Sequence, residues 1–318
     1  MSLQIKEKRK VWKGLYGLGF VFALALISFG SYQQADAQQK TFKSPEEAVK
    51  SLMEAVRASD TKEVLAIFGP TWNEIISKVD KVQDKAARDR FMKAYDEMNK
   101  LEKETDSKVT LVVGKEEWPF PIPIVKVSES WRFDTKAGKE ELLNRRIGRN
   151  ELNTIQACLT YVDAQREYAM KDWDGDGLLA YAQKFGSTKG KKDGLYWKAK
   201  EGEEQSPLGP LAARAVSEGY TGRKPGEKPV AYYGYYYRIL KAQGKNAPGG
   251  AYDYVVKGKM IGGFALVAYP AEYGSSGIMT FIVNHDGVVY QKNLGSKTAK
   301  VASTMKAYDP DEIWEKAE

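Results

Sequence analysis

Ile278-Met279-Thr280-Phe281-Ile282-Val283-Asn284-His285-Asp286-Gly287-Val288-Val289-Tyr290-Gln291-Lys292 is the stretch that decides the fold class. Two apolar, β-branched runs flank Asp286-Gly287, a dipeptide that readily supplies the positive φ angles of a short hairpin. The spacing predicts antiparallel strands over 278–284 and 288–292. Upstream, 260–269 and 232–240 carry the same β-branched and aromatic character and read as two further strands of one antiparallel sheet. A closing helix is expected over 296–305. Ser206-Pro207 reads as the start of another helix and Gly219 as its stop. Before these, Leu152, Ile155, Leu159, Val162 and Ala169 recur at helical spacing in a long run that ends near Met170. Cys158 borders that stripe and reads as a buried, small apolar residue.

The N-terminal half begins with helices. Ser44-Pro45-Glu46-Glu47 places an N-cap, a proline at the first helical position and a glutamate three residues on. Val49, Leu52, Met53 and Val56 follow on one face. Asp60 with Glu63 repeats the cap, and Gly69-Pro70 ends the second helix. A third helix is expected over 84–102, with Ala87, Phe91, Tyr95, Met98 and Leu101 inward. Short strands follow at 109–113, 122–127 and 131–133. The order gives α+β: N-terminal helices packed on a small sheet, then a long helix packed on an antiparallel sheet. Asp134-Thr135-Lys136-Ala137-Gly138 reads as a polar joint. The plan is a signal segment at 1–37, an N-terminal domain at 38–134, a C-terminal domain at 139–308 and a tail at 309–318.

Lys6, Lys8, Arg9, Lys10 and Lys13 precede an apolar run over 15–29, and Ala35-Asp36-Ala37 supplies small residues for cleavage. That order is the pattern of a secretory signal. The apolar run is shorter than the roughly 20 residues of a membrane-spanning helix, so no stable span is expected after cleavage. The expected location is periplasmic or secreted, with an uncleaved anchor as the alternative. The chain has a formal charge of +7 and one cysteine, so an intramolecular disulfide is excluded. Lys184, Lys189, Lys191 and Lys192 form the one local basic cluster and read as a solvated loop. A nucleic-acid partner would call for a denser stripe and is not expected.

Asp172-Trp173-Asp174-Gly175-Asp176-Gly177 is the sharpest local signal. Carboxylates at loop positions one, three and five suit a hard cation, and glycine at six permits a sharp turn. The predicted structural calcium site uses Asp172, Asp174 and Asp176, the Leu178 carbonyl and Gln183, with Leu179 at the apolar position. Gln183 stands where a bidentate glutamate is usual, which sets the expected affinity near 10⁻⁴–10⁻³ M, roughly the extracellular range. A helix is expected before the loop and a short one after it. The alternative is an Asx-rich turn without metal. His285, the sole histidine, reads as a solvated turn tip, and neither a phosphate cradle nor a nucleophile elbow accompanies it. Tyr232, Tyr233, Tyr235, Tyr236 and Tyr237 read as one strand, with Tyr233, Tyr235 and Tyr237 on one face. They serve sheet packing or, alternatively, an amphipathic surface for glycan or peptide.

Phe42-Lys43-Ser44-Pro45-Glu46-Glu47, Trp118-Pro119-Phe120-Pro121-Ile122-Pro123, Arg146-Ile147-Gly148-Arg149-Asn150-Glu151 and Gly262-Gly263-Phe264-Ala265-Leu266-Val267-Ala268-Tyr269-Pro270 carry a resemblance. With Phe281-Ile282-Val283-Asn284-His285-Asp286-Gly287, they make the chain resemble an exported bacterial family, DUF2950, over nearly all of the part after residue 37. That family brings no activity or site residues with it. Asn150-Glu151, Ile155, Ala164-Gln165 and Tyr168, with the later sheet, are loosely similar to the soluble heads of pilins and pseudopilins. This implies a helix-on-sheet head without pilus assembly, because a whole domain precedes the helix. The expected function is a non-enzymatic, calcium-stabilised binding or assembly module of the cell envelope, with an envelope protein or glycan as partner. The alternative is a periplasmic hydrolase of cell-wall or glycan material using carboxylates. Intact mass of the protein recovered from the envelope should place its first residue at Gln38; a chain still starting at Met1 in the cytoplasm would contradict export.

Overall fold

Ser44 opens the fold by accepting the Glu47 N–H at 3.2 Å, while the Glu47 carboxylate reaches back to the Lys43 N–H. The computed structural model describes residues 39–76, 80–220 and 229–317. The predicted signal segment and the mature start at Gln38 lie outside them. Helices α1 (Pro45–Ala58), α2 (Thr61–Phe68) and α3 (Trp72–Ile75) follow, with Asp60 capping α2 as its sequence signature requires. Helix α4 (Lys81–Glu97) then leads into strands β1 (Asn99–Thr105), β2 (Lys108–Val113), β3 (Trp118–Pro119), β4 (Ile124–Val127) and β5 (Ser130–Phe133). The sheet runs β1-β2-β4-β5, with β3 paired to β2. Leu52, Phe68, Leu111, Ile124 and Phe133 centre the hydrophobic cluster between these helices and the sheet.

The third helix is shorter than the predicted 84–102. It stops at Glu97 because Met98 turns extended (φ −166°, ψ 137°), and Asn99–Thr105 pairs with β2. The free edge of β2 outbids the helix propensity of the Lys-Leu-Glu-Lys run, a tertiary override of a weak local preference. The new edge carries Lys100–Glu102, Lys103–Asp106 and Lys108–Glu104 ion pairs, charges that discourage further strand addition.

The expected joint at 134–138 is the first turn of helix α5 (Thr135–Tyr168), capped by the Asp134 carboxylate on the Ala137 N–H at 3.1 Å. At 34 residues the helix is roughly 50 Å long. Leu142 packs on the first cluster, and Cys158, Tyr161 and Val162 lie in a second one. All described residues fall in one compact unit containing both clusters. The buried face of α5 includes Asn150, Thr154, Ala157, Cys158, Tyr161, Gln165 and Tyr168. Leu152, placed in the stripe by sequence, is 63% exposed. Ile155, Leu159 and Val162 do face the core, and the inward face is widened by three polar side chains, each with a backbone partner: Asn150 on the Ser276 carbonyl, Thr154 on Asn150, and Gln165 on Ala182. Cys158 is fully buried, and that burial pushes its thiol up to about 12.

Helix α6 (Gly209–Glu218) ends at Gly219 (φ 103°); Ser206-Pro207 precedes it as a turn closed by the Gly209 N–H on the Ser206 carbonyl. The second sheet is a meander of β6 (Tyr235–Leu240), β7 (Ala265–Pro270), β8 (Met279–Asn284), β9 (Tyr290–Asn293) and β10 (Glu315–Lys316), neighbours pairing antiparallel in that order. Alternation along β6 assigns its faces. The Tyr237 hydroxyl lies 3.4 Å from Thr154 of α5, whereas Arg238 donates to the Ala302 carbonyl of helix α7 (Thr298–Thr304). The sheet is thus covered on both sides, which explains its nearly continuous apolar runs. Glu151 fixes α5 on it by accepting the Ile278 and Met279 N–H groups at 2.9 Å each.

Three strand readings change. The predicted strand over 260–269 is interrupted at Gly262-Gly263: Lys259–Met260 pairs with Val255–Val256, and the sheet strand starts at Ala265. The turn over 284–287 is closed by the Gly287 N–H on the Asn284 carbonyl, and pairing resumes only at Tyr290. His285 is consequently half-buried, its ring against Tyr254 and Phe264. Gly263 makes the room, since a Cβ there would lie 2.6 Å from His285 Nδ1. The five tyrosines do not form one strand either. Tyr233 (φ 51°) and Gly234 (φ 75°) make a two-residue turn in which Tyr232 and Tyr235 exchange both backbone hydrogen bonds. Tyr233 and Tyr235 are buried, so these rings serve packing.

Asp80 pins that turn. One oxygen caps α4 on the Gln83 N–H at 3.0 Å; the other accepts the Tyr220 hydroxyl at 2.8 Å and the Gly234 N–H at 2.9 Å. One turn along α4, burial raises Asp84 to about 6 despite Arg146 at 3.9 Å, and the nearby Asp80 charge adds to the rise. A carboxyl with a raised folded value favours the folded state fully below about pH 4 and loses that contribution as pH rises through about 6. Asp84→Asn should therefore raise the melting temperature relative to wild type at pH 7.5, with the gap narrowing below about pH 6 and closing near pH 4. Parallel curves for the two proteins would refute the assignment.

Candidate functional site

The C-terminal turns of α5 organise the surface around the aspartate loop. Gln165 is fully buried, and its amide holds Ala182 at both backbone atoms, 2.8 Å each way. The Tyr181 N–H donates to the Met260 carbonyl, so this segment lies against 259–260. Tyr168 donates to the Lys192 carbonyl at 2.8 Å and receives the Trp173 indole N–H on its own carbonyl at 2.7 Å. Trp173 stacks on Tyr168 at 5.5 Å and meets Trp197 edge-on at 4.9 Å. The chain that follows the helix is thereby hung on its end at Trp173, Ala182 and Lys192, with 259–260 drawn in through Tyr181. They enclose an open cleft of about 940 Å³, with Tyr168, Trp173 and Tyr181 among its walls.

The aspartate loop forms one rim. Gly175 (φ 73°) and Gly177 (φ 83°) take the left-handed turns that glycine allows without steric penalty. Asp172 accepts the Gly177 and Gly175 N–H groups at 2.8 Å each, and these bonds, Gly177 foremost, lower its pKa. Asp176 accepts the Leu178 N–H at 3.0 Å. Ligand oxygens of Asp172, Asp174 and Asp176 all lie within 4.8 Å of one another. The Lys259 ammonium stands against them, bonded to Asp174 and 2.6 Å from Asp176. Those two partners raise the pKa of Lys259, Asp174 foremost, and Lys259 lowers that of Asp176.

The other predicted ligands lie differently. Gln183 accepts from the Lys241 ammonium at 2.9 Å and donates to the Gly258 carbonyl at 2.7 Å. Leu178 and Leu179 are 50% and 58% exposed. The short helix expected after the loop is absent, because 180–183 is committed to Gln165 on one side and to 258–260 on the other. The donor set still fits a hard cation: Asp172 Oδ1 already accepts the Asp174 and Gly175 N–H groups, but Asp172 Oδ2 and Asp176 Oδ1 accept one each and retain acceptor capacity. Such a cation has to displace the Lys259 ammonium.

Lysines dominate the rest of the cleft. Lys171 and Lys192 share Glu204 at 2.8 and 2.9 Å, and both lie over the Trp173 ring. Lys184 pairs with Asp193 at 2.7 Å. Burial alone would raise Asp193, but hydrogen bonds from Lys184 and Thr188 outweigh it and bring the carboxyl down to about 2. Of the cluster read as a solvated loop, Lys184, Lys189 and Lys191 are exposed, and all but Lys189 line the cleft together with Lys241 and Lys259. The latter two were missed because nothing local in the sequence signals that 258–260 pairs with the segment around Tyr181. Cys158 and His285 do not line the cleft.

A long helix on an antiparallel meander, with a basic cleft at the helix end, defines an α+β protein. The chain belongs to the family described as protein of unknown function (DUF2950), whose model matches residues 39–317. No curated protein and no solved structure matches the chain.

Proposed function

We propose that this chain is an exported, non-enzymatic binding module of the cell envelope, periplasmic or secreted, and that the cleft at the end of α5 is its working surface. The observation that carries this reading is the cleft itself: its size is that of a ligand site, and it is built from fixed aromatic walls and converging polar side chains. Its carboxylates fit binding better than proton transfer. Asp193, at about 2, stays ionised at neutral pH and is a poor general acid. The helix-on-sheet arrangement is what a pilin-like head would share, and the proposal takes only that arrangement from the likeness. Among the described residues no helix is long and apolar enough to cross a membrane. The hydrolase alternative has one observation in its favour, the raised Asp84 carboxyl near Asp80, and neither residue lines the cleft. Ala180 lines the cleft, and Ala180→Trp puts a bulky ring on that lining. The wild-type chain should co-sediment with isolated envelopes and Ala180→Trp should stay in solution. Equal sedimentation would refute the cleft, and glycan turnover abolished by Asp84→Asn would support the hydrolase instead.

Calcium braces the rim of the cleft in this proposal, bound by Asp172, Asp174 and Asp176. The gain is small, because the Lys259 ammonium already neutralises part of the loop. Millimolar calcium should raise the wild-type melting temperature by only about a few degrees over chelator. Lys259→Met should enlarge that increment and Asp174→Ala should remove it. Curves that coincide in calcium and chelator for both wild type and Lys259→Met would leave the loop as an Asx turn.

A further inference from the structure

The charge left over in the cleft indicates what kind of ligand it takes. Six lysines line it: Lys171, Lys184, Lys191, Lys192, Lys241 and Lys259. Five carboxylates stand among them, Asp174, Asp176, Asp193 and Glu204 as ion-pair partners and Asp172 beside the first two. Six positive against five negative leaves an excess of one. Lys191 and Lys241 make no ion pair among the described residues, and the Lys241 ammonium donates to the neutral Gln183 amide oxygen. Both line the cleft, one from the 190–193 loop and one just after β6, and both leave positive charge there for an anion.

We infer that the cleft binds an acidic glycan, a sugar chain bearing carboxylate or phosphate groups; this rests on the cleft being the working surface. Lysine is the only basic residue type on the lining. An ammonium is a point charge on a flexible stem, which suits anionic groups repeated along a chain better than one planar group gripped by an arginine fork. The cleft is also too large for a single small anion. Its acceptors include the Asp174 and Asp193 carboxylates and the Gln183 amide oxygen, beside the Tyr168 and Tyr181 hydroxyls. Sugar hydroxyls can donate to these, whereas a nucleic-acid backbone offers phosphates that the carboxylates repel. Trp173 gives no free stacking platform for bases, since one neighbour is the stacked Tyr168 ring and Lys171 and Lys192 stand over it at 4.7 and 5.1 Å.

Calorimetry on the full chain tests the inference with four probes: oligogalacturonate, phosphodextran, neutral dextran and single-stranded DNA. One or both acidic glycans should bind at low ionic strength and weaken markedly at about 0.5 M salt, where exposed charges are screened. The pair separates carboxylate from phosphate as the recognised group. Lys191→Gln with Lys241→Gln should weaken that binding by roughly tenfold, two exposed charge contacts having been lost. Lys50→Gln with Lys62→Gln, exposed on α1 and α2, should leave it unchanged. Melting curves verify that each variant folds. The inference is overturned if DNA binds as well as the glycans through the same two lysines, if neutral dextran binds equally, or if the cleft pair has no effect. No binding of any probe, with envelope co-sedimentation still blocked by Ala180→Trp, would overturn the ligand class and leave the binding-module reading standing.

Discussion

Asp80 has to serve three donors at once, the Gln83 N–H, the Tyr220 hydroxyl and the Gly234 N–H. A buried carboxylate is tolerated only when its lone pairs are used, and an unmatched donor in such a place costs about 1–3 kcal/mol. The three donors come from the start of α4, from the chain just past α6 and from the turn that launches β6. One side chain therefore ties the N-terminal helices to the C-terminal sheet. Gly234 is held to glycine twice over: its φ is positive, and a Cβ would lie 2.6 Å from the Asn150 amide nitrogen. Asn150 in turn donates to the Ser276 carbonyl, and the next residue, Glu151, receives the first amides of β8. The junction thus sets where α5 crosses the sheet.

Placement of α5 decides the rest. Its far end carries Gln165 and Tyr168, and these two side chains hold the walls of the cleft through Ala182, Lys192 and Trp173. The aspartate loop is the connection that leaves this helix end. Its charge is balanced from across the cleft by Lys259, carried on the short pairing of Lys259–Met260 with Val255–Val256. Rim and wall are coupled electrostatically, so a change of charge at the loop is felt by the lysines beside it.

Local chemistry was legible in the residues. Ser44, Asp60 and Gly219 mark helix ends where their side chains or backbone freedom dictate, and the runs around Ala265 and Phe281 could only be buried strands. Features settled by partners far along the chain were hidden. Strand β1 was missed for a nearer reason, its charged run reading as helix until it pairs with β2. The polar part of the α5 face went unseen because Asn150 and Gln165 point inward to the Ser276 and Ala182 backbone, which no local pattern announces. The tyrosine run broke at Tyr233-Gly234 for the same reason, since its turn answers to Asp80, 154 residues away from Gly234. Of the candidate site, the three aspartates were readable from spacing. The cleft beside them was not, because its lysines converge only after α5, the 184–193 loop and the 255–260 strands have met.

If the Asp80 junction joins the two clusters into one cooperative unit, scanning calorimetry of wild type and Asp80→Asn tests it directly. Asparagine keeps the shape but carries one acceptor oxygen where the carboxylate has two, leaving buried donors unmatched at a cost of roughly 2 kcal/mol or more. The wild-type chain should unfold in a single transition. Asp80→Asn should unfold at lower temperature and in two separated transitions, one for each hydrophobic cluster. A single transition at the wild-type temperature in Asp80→Asn would contradict the account.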